Sequence, residues 1–146
     1  MNIETSPASL IRRMASILYD GLLLCGVLFL AGLPLPLIPE VIRESWWVNM
    51  LTRVYLISTC LLFFTWFWTH GGQTLGMRAW RLKLTGVDGG PVGWQPAVIR
   101  FFGAMLSWSA LGLGYLWILF GEERLAWHDR ISATRLSLIP KRSRKT

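Results

Sequence analysis

Three apolar runs divide this chain, and polar, basic segments separate them. The first, residues 14–33 (MASILYDGLLLCGVLFLAGL), has 20 residues and a single charge, Asp20. A helix of that length covers the ~30 Å of a bilayer's hydrocarbon core. Pro34, Pro36 and Pro39 then stop the helix and predict a short loop. A second run at 47–69 is led by Trp46 and Trp47, carries Arg53 near its entering end, and closes on Trp66 and Trp68. Paired indoles at both ends suit a span whose ends lie at membrane interfaces. The third run, 97–120, follows a polar connection and holds Gly112 and Gly114 near its middle. Two short stretches alternate as strands do: WRLKLTGV before the turn Asp88-Gly89-Gly90-Pro91, and ATRLSLIP at 133–140.

Charge sharpens this into a topology. The chain has 146 residues, a net charge of +7 and 53% hydrophobic residues. That is too apolar for a small soluble domain to hide, and it is expected to form one membrane domain. Arg12 and Arg13 place the N-terminus in the cytoplasm, as Arg78, Arg81 and Lys83 place the second connection. The basic segment 121–146 belongs there too, yet three full crossings would put it outside. The 25 residues from Ala97 to Gly121 are too few for two spans. A third segment that breaks at its glycines and turns back resolves the conflict, and it lets the two strand-like stretches pair on one side. The expected fold is therefore all-α: two full transmembrane helices, a re-entrant or broken third helical segment and a small cytoplasmic β-strand pair. A signal peptide fits poorly, because Asp20 lies in the apolar core and two more runs follow. The basic tail is expected to meet anionic lipid headgroups. Nucleic acid is disfavoured, since no aromatic residue interleaves with the tail charge.

Candidate chemistry is sparse. Asp20 lies two helical turns beyond Arg13 on one face and ~10 Å deeper. A carboxylate at that depth should face the interior and hold a partner. Arg100, at the start of the third run, is the best candidate across the bundle. The loop Gly72-Gln73-Thr74, with Gly76 and Arg78, reads as a tight turn or as an anion-binding nest. His128-Asp129 lacks the further ligands a metal site needs, and no catalytic constellation accompanies it. Glu122, Glu123 and Arg124 read as a solvated cluster. Cys25 and Cys60 read as small buried hydrophobes. No cofactor, metal or enzymatic activity is expected.

In order and spacing these motifs resemble the RDD family of bacterial membrane proteins, named for one Arg and two Asp. The first two match Arg13 and Asp20 in RRMASILYD, and the third resembles Asp129 in WHDRISATRL. GQTLGMRAWRLKL is similar to the family's GQT-x-G-K-R loop and following strand. Met77 stands where Lys is usual, and Arg81 and Ala133 stand where Gly is usual. The resemblance implies a multi-pass inner-membrane protein, with transport of ions or small ligands as one suggested role. Two or three spans enclose no route alone, so transport implies a homo-oligomer. The alternative is a non-transporting adaptor or assembly protein within a larger membrane complex.

Overall fold

The computed structural model describes residues 8–120 and 125–139. The basic tail from residue 140 onward and the Glu122-Glu123-Arg124 cluster lie outside the described residues. Helix α1 spans Leu10–Gly32 and α3 spans Trp46–Thr69, joined by a 3-10 turn at Leu35–Leu37 and the short α2, Glu40–Arg43. The proline-rich loop thus ends α1 where the sequence predicts. Beyond α3 come α4 (Leu75–Ala79), β1 (Leu82–Gly86), α5 (Trp94–Ser109), α6 (Leu113–Leu116) with a 3-10 turn at Trp117–Leu119, α7 (Trp127–Ile131) and β2 (Thr134–Leu138).

The two long helices are inside-out relative to a soluble bundle. The buried residues of α1 are Arg13, Ser16 and Asp20, all polar. Its large apolar side chains point outward, among them Leu18, Leu22, Phe29 and Leu30, as do Leu51 and Leu62 of α3. Water would penalise that arrangement and lipid favours it. Both helices are long and apolar enough to cross a membrane. Cys25 is exposed on the outer face of α1 and Cys60 is half-buried, so Cys25 is not the core residue its apolar run suggests. Trp68 departs from expectation in the other direction. It is buried among Met77, Leu82, Leu84 and Phe101 and does not mark an interface.

The third apolar run is broken. Helices α5 and α6 meet at a bend of 105°. Leu111 and Gly112 both take left-handed backbone there, at φ 54° and 79°, which turns the chain sharply within a few residues. Gly114 then lies so close to Ser107 that a Cβ would collide with the Ser107 hydroxyl. The returning α6 therefore packs directly on α5, as the paired glycines foretell.

β1 and β2 pair antiparallel, with Leu84 opposite Leu136. Because these strands touch, the chain between them leaves and returns at the same end of the bundle. Ala8 donates its N–H to the Leu136 carbonyl, so the entrance to α1 is at that end too. Two turns beside this sheet carry positive φ on non-glycine residues, Arg81 at 56° and Ala133 at 49°. These are the two positions at which the resemblance leads one to expect Gly, and left-handed backbone is a physical reason for Gly there. Ala133→Gly, at an exposed site, should raise stability by about 0.5–1 kcal/mol, after allowing for the extra freedom glycine has when unfolded. Thermal melting of the detergent-solubilised variant checks this.

Candidate functional site

Two polar stations sit inside the bundle, and α1 contributes to both. The first is centred on Asp129, whose side chain is fully buried. It lies in the first turn of α7, where its Oδ2 accepts the Ala126 N–H at 3.0 Å. A carboxylate there caps the start of its own helix. Arg13 Nη1 donates to Oδ2 at 2.6 Å and Arg100 Nη1 donates to Oδ1 at 2.6 Å. Both guanidiniums are buried as well. Arg100 also donates to the Thr134 hydroxyl at 2.7 Å and lies 5.4 Å from the Trp68 ring centre. One acid thus ties together α1, α5, α7 and, through Thr134, β2. Burial on its own would raise the Asp129 pKa. Arg100 and Arg13 outweigh that and hold it well below the usual carboxylate range.

His128 is buried next to this acid, with Nε2 at 3.7 Å from Asp129 Oδ1. Burial, reinforced by the positive charge of Arg100, lowers its pKa to about 3. It is therefore neutral at pH 7, and the contact with Asp129 is not an ion pair. His128 reaches this place because Gly103 of α5 lets α7 approach: a Cβ at Gly103 would stand 3.1 Å from the His128 Cβ.

The second station is Asp20. Its Oδ1 accepts the Gly76 N–H at 2.8 Å, and its Oδ2 accepts a short hydrogen bond from the Thr74 hydroxyl. Thr74 is the N-cap of α4, its hydroxyl accepting from the Met77 N–H at 3.1 Å. Asp20 therefore completes the N-terminus of α4 from across the bundle, where free N–H groups favour a carboxylate.

Both stations line one cavity of about 200 Å³. Arg13, Asp20, Arg100 and His128 reach it from α1, α5 and α7, and Phe64, Met105 and Trp108 supply much of its apolar wall.

These positions correct one expectation. Arg100 is an ion-pair partner, but of Asp129; Asp20 is held by Thr74 and Gly76. Asp20 is interior and partnered, as its depth requires. In the Gly72–Arg78 loop, Gly72 has φ 71°, and its carbonyl accepts the Leu84 N–H at 2.7 Å. Gln73 donates to the Leu82 carbonyl at 2.6 Å. The loop is thus a turn stitched to β1, and Arg78 points outward. Met77 is buried in the core, where a Lys would be costly. The pattern gave no sign of Thr74 as a partner of Asp20, of Thr134 as a partner of Arg100, or of the burial of His128. The one available cue was Gly76, a small residue beside a cap-forming Thr. Among the described residues no group of His, Cys, Asp and Glu side chains is arranged to hold a metal ion.

A family model, that of the RDD family, matches residues 7–133. The chain belongs to the RDD family. It is accordingly a membrane protein, and the named trio has a structural meaning here. In this RDD chain Arg13 and Asp129 are directly paired, while Asp20 stands apart on α1, held by Thr74 and Gly76. No curated protein and no solved structure matches the chain significantly.

Proposed function

We propose that this RDD protein moves a small ligand or ion across the bacterial inner membrane as a homo-oligomer, with Asp20 as the acid that exchanges protons. The observation that carries this reading is the shared cavity: a buried acid and a buried cation pair face one space inside a bundle whose outer surface suits lipid. Arg12, Arg78, Arg81 and Lys83 cluster at the end of the bundle where the strands lie. That supports a cytoplasmic N-terminus, with this basic end against anionic headgroups. The reading includes no enzymatic step and no nucleic-acid partner.

Purified protein in vesicles loaded with a pH-sensitive dye tests it. Asp20→Asn should cut cation-driven proton movement at least about ten-fold, and Asp20→Glu should keep part of it, as expected of a proton-transfer group. Equal rates in wild type and Asp20→Asn end the relay reading.

A second reading, a membrane adaptor within a larger complex, is favoured by one observation. Both Asp20 oxygens are already engaged, by Thr74 and Gly76, as they would be for a purely structural tie. It expects no flux from the wild type, co-purification with a larger assembly, and lower abundance of Asp20→Asn.

A further inference from the structure

We propose that the cavity between α1, α3 and α5 binds a single-chain anionic amphiphile, with its head on Arg13 and its chain along Met105 and Trp108. This names a ligand class for the cavity just described. It rests on that cavity being a ligand site, and not on any flux.

The head position follows from hydrogen-bond accounting. Arg13 uses Nη1 on Asp129 and Nε on the Ala8 carbonyl at 3.4 Å. Its Nη2 is buried with no acceptor among the described residues, although Arg13 is only 2% exposed. A guanidinium N–H left without an acceptor in the interior is costly, so an acceptor belongs there. His128 Nδ1 is the other buried side-chain atom without a partner among the described residues, and His128 lines the same cavity. Arg13 and His128 thus both border the one cavity.

The sign of the head follows from the charges around it. Arg13 and Arg100 face the cavity with Asp129 as their shared counter-charge, which leaves this station one positive charge in excess. His128 is neutral. Asp20 also lines the cavity and brings a carboxylate to it, but it lies two helical turns along α1 from Arg13 and is already served by the Thr74 hydroxyl and the Gly76 N–H, so the end of the space beside Arg13 is the more positive one. An anionic group with several acceptor oxygens meets the unfilled Nη2 and balances the excess.

The tail follows from the walls and the mouth. Apart from the polar strip of Ser16, Asp20 and Thr74, the lining away from the arginines is largely apolar, with Ile17, Phe64 and Phe101 on the way to the mouth. Met105 and Trp108 line the cavity yet are 42% and 56% exposed, so the space opens sideways on the flank of α5. A ligand dissolved in lipid enters there without crossing water. The volume admits on the order of seven waters, enough for one short chain and too little for a two-chain phospholipid.

Tryptophan quenching on the full chain in zwitterionic nanodiscs tests this. Brominated octanoate should quench saturably. Brominated octanol, with the same chain and no charge, should bind at least about ten-fold more weakly. Acetate and inorganic phosphate should not compete. Arg13→Gln should lose the preference for octanoate. Ala104→Phe fills the wall while keeping Arg13, Arg100 and Asp129 themselves, and it should abolish saturable quenching with an unchanged melting temperature. Equal quenching by the acid and the alcohol overturns the proposal. So does unaltered binding in Ala104→Phe, or competition by acetate or phosphate as strong as by octanoate. Saturable octanoate binding without Asp20-dependent flux leaves this site standing and removes the transport reading. Flux without binding does the reverse.

Discussion

Asp129→Asn is expected to be among the most damaging single changes this protein can receive, destabilising it by about 3–5 kcal/mol. The carboxylate is fully buried and is the sole charged partner that the described structure gives Arg13 and Arg100. Neutralising it leaves two guanidiniums facing one another in the interior. Each then lacks its charge-assisted hydrogen bond, and each repels the other. The amide also offers one acceptor oxygen where three donors converge: Arg13, Arg100 and the Ala126 N–H. At that loss the melting temperature in detergent should fall by about 10 °C or more. Asp88→Asn is the matching control. Asp88 is exposed in the turn after β1, where its Oδ1 accepts the Gly90 N–H at 3.1 Å, a bond an Asn oxygen can keep. That variant should stay within about 0.5 kcal/mol of wild type. Equal losses from the two substitutions would show that Asp129 does not hold its helices together.

That contrast marks where sequence pattern stops being informative. Gly89, Gly90 and Pro91 mark Asp88 as a turn residue, but nothing in the neighbours of Asp129 marks it as a buried hub. Burial of Asp129 is set by α7 docking on α5 at Gly103, a contact between residues far apart in the chain. Asp20 is the opposite case. An apolar run fixes its depth, and depth alone requires an interior-facing, partnered acid. What depth does not fix is the partner. Arg100 was the nearest candidate by charge, but charge complementarity is blind to direction, and Arg100 reaches Asp129 and Thr134 instead. The hydroxyl and backbone N–H that do hold Asp20 leave no charge in the sequence to find.

The broken third segment was legible for a different reason. Its length, its two glycines and the basic residues beyond it all constrain the same choice, and the pairing of β1 with β2 satisfies them together. The left-handed residues Arg81 and Ala133 were visible only as departures from the family's usual glycines. Their meaning came from φ.

The separation of the two stations has a consequence for Gly76. Helix α4 lies against α1 so closely that a Cβ at Gly76 would strike the Ser16 carbonyl oxygen and stand 2.8 Å from the Asp20 carboxyl carbon and Oδ2. The Ser16 contact is backbone of a long helix and has no room to yield. Gly76→Ala must therefore push α4 outward, which stretches both the Gly76 N–H bond and the Thr74 bond to Asp20. Overpacking costs about 1–3 kcal/mol, and weakening a hydrogen bond to a charged group costs about 1.5–3 kcal/mol. A loss of about 2–4 kcal/mol is expected once partial relaxation is allowed for. Gly21 and Gly26 of α1 supply the comparison, because a Cβ at either meets nothing within 4 Å. Gly21→Ala should be neutral or stabilise by up to about 1 kcal/mol, through helix propensity. Melting curves of the two alanine variants therefore separate a glycine required by close approach from one that is merely tolerated. If Gly76→Ala melted with wild type, the tie between Asp20 and α4 would be too soft to account for the burial of this acid.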